Sequence, residues 1–202
     1  MIRPLISMTS SAHSALVWLR RDLRLHDHTA LHTALKHYHQ VFICFVFDTD
    51  ILSALLDRGL SSDRRIDFIW QSLIEIDREL RTRGGALIVR HGCAREIIPQ
   101  LAKELGVSEV YTHKDYEPAA IARDRSVADV LTNMKIGFSA LKDQVIFEER
   151  EVLTGSGGVF SIFTPYKNAW LKKLRPADVD PRTVDLDSGH LAQIPKNLDQ
   201  AI

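Results

Sequence analysis

The amino-acid sequence predicts an α/β domain built on a doubly wound parallel sheet. Short runs of apolar, mainly β-branched and aromatic residues alternate along the chain with segments of helical period, a pattern typical of βαβ units. One run, "VFICFVF" at 41–47, is apolar at every position, as expected of a strand that helices cover on both faces. These observations favour a three-layer, Rossmann-like domain with five parallel strands.

Each element of this domain follows from a local pattern. The predicted strands are 15–19, 41–47, 86–90, 108–113 and 136–141. The predicted helices are 29–38, 62–80, 94–105 and 118–131. The longest helix carries one apolar stripe, formed by Ile66, Ile69, Leu73, Ile76 and Leu80. We therefore assign the α/β domain to residues 14–142.

The pattern changes after residue 142. The stretch "TGSGG" (154–158) predicts a flexible loop, and "FTPYKNAWLKKL" (163–174) predicts a short helix after Pro165. Residues 176–202 show no firm periodicity. We interpret 143–202 as an interdomain linker with a short helix, whose destination is absent from the chain.

Composition excludes several classes of protein. The 202 residues include 26 Lys plus Arg and 26 Asp plus Glu, so the chain has no global positive field that would attract DNA. Cys44 and Cys93 form neither a metal-binding spacing nor a disulfide framework, which indicates a reducing compartment. No apolar run is long enough to span a bilayer, and we expect a cytoplasmic protein.

Charged residues stand where the predicted strands end, and ligands of doubly wound sheets bind at those carboxyl ends. After the first strand the chain reads Arg-Arg-Asp-Leu-Arg (20–24). Two interpretations stay open: ion pairs at the sheet edge, or a surface that holds an anionic ligand or a partner domain. We expect Asp22 to pair with one arginine, because a partly buried carboxylate needs a charged partner. At least one arginine would then be left over.

A second charged group follows the fourth predicted strand, where Asp115 and Glu117 flank Tyr116. These carboxylates suit a binding site at the strand ends. Glu117 equally suits the N-cap or the first turn of the next helix, where an acidic side chain is stabilised by the helix dipole. Both interpretations stay open for Glu117.

Other sites are not expected. The turn after the first strand has no glycine, so the backbone cannot approach a dinucleotide pyrophosphate, and "GSGG" lacks the lysine of a P-loop. His28 and His32 are four residues apart on a predicted helix, but no third metal ligand accompanies them. No arrangement of Ser, His and Asp or of Cys and His suggests a hydrolytic centre.

Four motifs in fixed order, "WLRRDLRLHDHTAL", "DYEP", "GSGG" and "FTPYKNAWLKKL", resemble the amino-terminal α/β domain of the DNA photolyase and cryptochrome family. The first is similar to the family pattern W-x-R-R-D-L-R-L-x-D-N-x-A-L, from which Leu19 and His28 depart. The last is similar to F-T-P-F-x-x-x-W. The resemblance covers residues 15–174 and is strongest to the class I cyclobutane pyrimidine dimer photolyases.

The resemblance implies a modular deoxyribodipyrimidine photo-lyase that repairs DNA with light. In that family an all-helical carboxyl-terminal domain binds FAD and the damaged DNA, and the α/β domain is its intramolecular partner. We expect that domain to be absent here, so the chain alone should be inactive and should self-associate or keep a mobile tail. The alternative is a cryptochrome-like photoreceptor or interaction module without repair activity; an adenine-nucleotide-binding domain of similar architecture has little support.

The resemblance also implies an antenna chromophore in the α/β domain. In members that carry 8-hydroxy-5-deazaflavin, the matching contact positions are Arg20, Asp48, Arg65, Asp115 and Glu117. Members that carry methenyltetrahydrofolate have Asn-Glu shortly after Tyr-Glu, where this chain has Ala119 and Ala120. The antenna is therefore expected to be a deazaflavin or a flavin, or to be lacking, rather than a folate bound by that route.

Overall fold

A computed structural model of the chain describes residues 13–56 and 63–198. Five strands form one sheet in which every pairing is parallel, in the order β3-β2-β1-β4-β5. The strands are β1 (Ser14–Leu19), β2 (Gln40–Asp48), β3 (Leu87–Gly92), β4 (Glu109–His113) and β5 (Gly137–Leu141). The predicted doubly wound parallel sheet is confirmed.

Six α-helices lie in the described part of the chain. They are α1 (Thr29–His37), α2 (Thr49–Leu56), α3 (Arg64–Thr82), α4 (Ala94–Leu105), α5 (Pro118–Asn133) and α6 (Phe163–Lys173). Helix α2 was not predicted, and α6 begins at Phe163, before Pro165. None of the described helices is long and apolar enough to cross a membrane.

The sheet separates two apolar cores, which accounts for the three layers. Along β1, Val17 points into a core with α1 and α3, whereas Leu16 and Trp18 point into a core with α4 and α5. All six residues of β1 are buried. A central strand with both faces covered needs apolar residues at every position, which explains the uninterrupted apolar runs of the sequence.

Local signals set the helix ends. Asp63 is the N-cap of α3, and its carboxylate accepts a hydrogen bond from the backbone N–H of Arg65. Gly106 ends α4 with a φ of 65°, a left-handed conformation that glycine adopts at little cost. Pro118 occupies the first turn of α5, where its missing N–H costs nothing.

The later part of the tail packs on the domain, which corrects the expectation of a mobile tail for those residues, whereas residues 176–183 are exposed. Residues 181–198, here called the return segment, run back along the domain. Leu191 forms an isolated parallel bridge with Val41, and Leu186 and Leu191 belong to the core that contains α1 and α3. The backbone N–H of Val41 donates to the carbonyl oxygen of His190 at 2.8 Å, and the backbone N–H of Ala192 donates to the carbonyl oxygen of Val41 at 3.0 Å. The division of the chain at residue 142 stays a prediction.

Candidate functional site

A cleft opens at the carboxyl ends of β1 and β4, where the strand order reverses. Strands β2 and β3 lie on one side of β1, and β4 and β5 lie on the other. Such a switch point is the usual ligand site of a doubly wound sheet. The cleft has a volume of about 170 Å³ and is lined by Arg20, Arg21, Asp22, Arg24, His113, Lys114, Asp115, Asp143 and Gln144.

Arg20 is held by an internal ion pair beside the cleft. Its Nη1 lies 2.7 Å and 2.9 Å from the two carboxylate oxygens of Asp124 on α5, and its Nη2 donates to the carbonyl oxygen of His113. The guanidinium carbon lies 5.1 Å from the ring centroid of Trp18, within cation–π distance. Only 11% of the Arg20 side chain is exposed. Its contacts with His113 and Asp124 connect the end of β1 to β4 and α5.

The other two arginines also face carboxylates. Arg21 donates to Glu117 at 2.8 Å and lies 3.7 Å from Asp115. The hydrogen bond to Glu117 raises the pKa of Arg21. Arg24 donates to Asp143 at 2.6 Å. The expectation that one arginine is left over after β1 is therefore wrong: all three contact carboxylates, and each of those carboxylates comes from a distant part of the sequence.

The predicted pairing of Asp22 with an arginine is also wrong. Asp22 Oδ2 lies 2.5 Å from His113 Nδ1 and 3.0 Å from His28 Nε2, and Asp22 Oδ1 accepts the backbone N–H of Arg20 at 2.6 Å. Burial opposes ionisation of this carboxyl group, but hydrogen bonds from the two histidines outweigh it and hold the pKa of Asp22 well below its usual range. The two imidazoles, rather than an arginine, are the close neighbours of this carboxylate.

Backbone hydrogen bonds fix the tautomers of both histidines. His28 Nδ1 accepts the N–H of Leu31, and His113 Nε2 accepts the N–H of Ala30. Each ring therefore carries its proton on the nitrogen that faces Asp22. Burial is the main cause that lowers the pKa of His28, and the ring is neutral. Asp22, His28 and His113 cluster closely enough to suggest a metal site, but the hydrogen bonds from Leu31 and Ala30 leave protonated nitrogens, which are donors and not metal ligands, facing Asp22.

Asp143 completes this buried network from the far side. Its Oδ1 accepts hydrogen bonds from the backbone N–H of Thr29 at 3.2 Å and the hydroxyl of Thr29 at 2.9 Å. Burial of Asp143 opposes its ionisation, but the hydrogen bonds from Arg24 and Thr29 and the charge interaction with His113 lower its pKa. The network fixes the loop after β1 against the first turn of α1.

Asp48 supports the next strand end. It is buried, and its Oδ1 accepts the backbone N–H groups of Asp50 at 3.2 Å and Ala94 at 3.3 Å. Its Oδ2 lies 3.7 Å from Arg123 Nη1, and Arg123 also contacts Asp124 at 3.3 Å. Asp48 and Arg20 are thus linked through α5 by one chain of charges.

Arg65 stands apart from this network. It lies at the start of α3 with 69% of its side chain exposed, and it pairs with Asp63. The hydrogen bonds from Arg65 lower the pKa of Asp63 to about 2.

The structure brings together only part of the predicted site. The described residues that line the cleft include Arg20 and Asp115, but not Asp48, Arg65 or Glu117. Glu117 contacts the cleft residue Arg21. Asp48 is connected to the cleft only indirectly, through its contact with Arg123 on α5. Glu117 is also the N-cap residue of α5, although its side chain makes no capping hydrogen bond.

Sequence reasoning missed four ionisable residues that organise the cleft. Arg123, Asp124 and Asp143 lie far from β1 in sequence, and His113 is the last residue of a predicted strand. A histidine at the carboxyl end of a strand could have been recognised as a candidate. The remaining three give no local signal, since charged residues are ordinary in helices and loops.

Comparison with known proteins places these features in context. The family model described as DNA photolyase matches residues 15–184. A curated relative, an uncharacterized 31.6 kDa protein of Synechococcus sp. PCC 6716, is 33% identical over 89% of this chain and 63% of its own length. The chain is 32% identical to the deoxyribodipyrimidine photo-lyase of Synechococcus sp. PCC 6301, covering 89% of this chain and 37% of that protein. For the Escherichia coli K12 enzyme of the same name the identity is 33%, over 79% of this chain and 34% of that protein.

Solved structures agree on the fold. A class III photolyase from Agrobacterium tumefaciens superposes with a TM-score of 0.74 at 23% identity, over 96% of this chain and 37% of that chain. An archaeal photolyase from Sulfolobus tokodaii gives a TM-score of 0.68 at 28% identity, over 90% of this chain and 38% of that chain. That structure is described with two FAD molecules and an implied novel light-harvesting cofactor. The chain thus spans between about a third and just under two thirds of the length of these relatives.

Proposed function

Since the chain belongs to the DNA photolyase family, we propose that it supplies the antenna-bearing α/β part of a deoxyribodipyrimidine photo-lyase, which repairs cyclobutane pyrimidine dimers in DNA with light. The support is the match of the family model over residues 15–184 and the shared name of relatives in Synechococcus and Escherichia coli. In this proposal, FAD and the damaged DNA bind to a helical domain that contacts the α/β domain. The zero net charge of this chain agrees, because DNA binding requires a basic surface.

The observation that carries the antenna proposal is the cleft between β1 and β4. Its rim offers the side chains of Arg21, Lys114 and Asp115, which suit the polar edge of a heteroaromatic ring. A volume of about 170 Å³ is below the roughly 300–1,000 Å³ of typical ligand pockets, so the cleft would hold one part of a chromophore and leave the rest along its rim.

The predicted contact residues have different roles in this proposal. Asp115 and Glu117 would bind or orient the chromophore at the rim, together with Arg21. Arg20 and Asp48 are engaged in buried contacts with Asp124, Arg123 and backbone N–H groups, so they would hold the strand ends in position rather than touch the ligand.

An antenna chromophore, when bound, absorbs blue or near-ultraviolet light and transfers the energy to the flavin. The residues of this chain supply the site and no covalent chemistry. The Asp22–His28–His113 network keeps the floor of the cleft rigid, and fixed groups of this kind limit the orientations that a bound ring can adopt. The chromophore class that we propose is an 8-hydroxy-5-deazaflavin or a flavin.

The test is the absorption spectrum of the 202-residue chain, purified and then supplied separately with 8-hydroxy-5-deazaflavin, FMN, FAD and methenyltetrahydrofolate. We expect a deazaflavin or flavin band to remain with the protein after gel filtration. Asp115→Asn should weaken binding by about tenfold or more, since a hydrogen bond that a charged carboxylate accepts is replaced by one to a neutral amide. The matched control is Arg125→Ala, an exposed position on α5. A protein that stays colourless with all four compounds, or unchanged binding by Asp115→Asn, would overturn the antenna proposal.

Repair is tested separately with a dimer-containing oligonucleotide. Blue light should restore the dimer to two pyrimidines only when the α/β domain is part of a protein that also holds reduced FAD. A flavin-loaded protein that binds the oligonucleotide but leaves the dimer intact under light would favour the photoreceptor alternative.

A further inference from the structure

The return segment meets the start of β2 at a pair of histidines that the antenna proposal does not use. His39 immediately precedes β2, and His190 lies in the return segment. Their ring centroids are 4.9 Å apart with planes at 83°, and His39 Nδ1 lies 3.3 Å from His190 Nε2. The pair stands at the amino end of the sheet, opposite the cleft.

The backbone orients one of these rings. His190 Nδ1 lies 2.9 Å from the carbonyl oxygen of Leu35 on α1, and only a protonated Nδ1 can make a hydrogen bond to a carbonyl. His190 Nε2 therefore carries no proton, and its lone pair is directed toward His39 Nδ1. A carbonyl that accepts the distal N–H of an imidazole is the usual support of a histidine that binds a metal.

We propose that His39 and His190 are the protein ligands of a divalent transition-metal ion of the zinc class. At the usual Zn–N distance of about 2.0–2.1 Å, two nitrogens 3.3 Å apart subtend an angle of about 107° at the metal, close to tetrahedral. The ion replaces the proton that His39 otherwise donates to His190, and the proton of His39 moves to its outward Nε2. His39 is exposed, so water can fill the remaining positions.

The site differs chemically from the buried cluster of Asp22, His28 and His113. There each ring presents a protonated nitrogen to a carboxylate, whereas here one nitrogen of the pair is unprotonated and the other is free to exchange its proton with solvent. Imidazole pairs with water ligands suit Zn²⁺, Ni²⁺ and Cu²⁺.

A bound ion would fasten the return segment to the core across 151 residues of sequence. Any ion that binds the folded chain in preference to the unfolded chain raises the melting temperature, and the increase grows with the logarithm of the ion concentration once that concentration exceeds the Kd. The inference is independent of the proposed function, because it concerns the opposite end of the sheet.

The experiment is a zinc titration of the full chain, freed of metal with a chelator and followed by competition with a chromogenic indicator and by thermal unfolding. We expect Zn²⁺ to raise the melting temperature, and His39→Ala to weaken binding by about tenfold or more. His37→Ala is the matched control, since His37 is also exposed and lies two residues away.

A second measurement identifies the ligands directly. Cu²⁺ bound at one equivalent should show two nitrogen ligands in its electron paramagnetic resonance spectrum, and His39→Ala should reduce them to one. If His39→Ala binds zinc as tightly as the unaltered chain, or if the copper spectrum is the same in both, the pair is only a hydrogen bond and the proposal fails.

Discussion

His28 and His113 stack at 4.2 Å between ring centroids, and both direct a nitrogen at the same carboxylate oxygen of Asp22. Two imidazoles thereby occupy the position where the sequence suggested an arginine.

Asp22→Asn should destabilise the chain by about 2–4 kcal/mol, because an amide N–H would face an imidazole N–H in a buried site. Urea unfolding at pH 7 measures the change in the free energy of unfolding. Asp187→Asn is the control, since Asp187 is 84% exposed, and its stability should be unchanged. Equal stability of the two variants would mean that Asp22 does not hold the cleft together.

Stability should fall on acidification in two steps. Burial lowers the pKa of His28 below its ordinary 6.5. Below about pH 6.5 the unfolded chain therefore binds a proton at His28 that the folded chain does not bind. The free energy of unfolding falls as the pH drops from about 6.5 toward the folded pKa. The pKa of Asp22 is also depressed, so its contribution is present above about 3.8 and is lost below that.

His28→Asn isolates the first step. Asparagine is a good N-cap and can accept the N–H of Leu31 as His28 does, so the variant should fold and should lose part of the slope between about pH 6.5 and 5. His26→Asn removes an exposed histidine of the same loop and should keep the slope. Thermal unfolding across this pH range distinguishes them, and an unchanged slope in His28→Asn would contradict the assignment.

Arg20 and Asp124 should be strongly coupled. Their side chains are 11% and 13% exposed, and Asp124→Ala would leave the guanidinium with only the carbonyl of His113 and the ring of Trp18. A double-mutant cycle with Arg20→Met should give an interaction energy of about 1–3 kcal/mol. Additive effects of the two changes would show that the pair contributes nothing beyond its separate parts.

Arg65→Ala should leave chromophore binding unchanged, although the family resemblance implies a contact at this position. Arg65 is largely exposed and pairs with Asp63 outside the cleft, whereas Arg21 lines it. Arg21→Ala should therefore weaken binding where Arg65→Ala does not. Equilibrium titration followed by absorbance gives both affinities, and the opposite order would move the antenna to the start of α3.

The sequence was enough to predict all five strands. The buried strands β1 and β2 leave nearly uninterrupted apolar runs, and the other three are short runs rich in branched or aromatic residues between helical segments. Helix α2 was not predicted because it is short. It also begins at Thr49, directly after the last residue of β2, so no turn residues mark the boundary. The return segment escaped because it packs through separate side chains, such as Leu186 and Leu191, which follow neither helical nor strand period.

The charged residues at the strand ends were enough to predict where the cleft lies, but not which side chains pair with one another there. Arg20 reaches Asp124 across 104 residues, and Arg24 reaches Asp143 across 119. Partner choice over such separations depends on how the strands are ordered in the sheet, and that order cannot be read from local pattern. Asp22 shows the same limit, since its partner His113 enters only when β4 lies beside β1.

The return segment also bears on how copies of the chain behave toward one another. Strand β2 begins before its neighbour β3, since the first residue of β2 paired with β3 is Ile43, so Val41 would offer its N–H and C=O groups to any extended chain nearby. His190 and Ala192 occupy both groups. Unpaired strand backbone is a template for intermolecular pairing and aggregation. The return segment thereby covers backbone groups of β2 that would otherwise be unpaired. A chain cut before residue 181 would therefore precipitate more readily than the intact one.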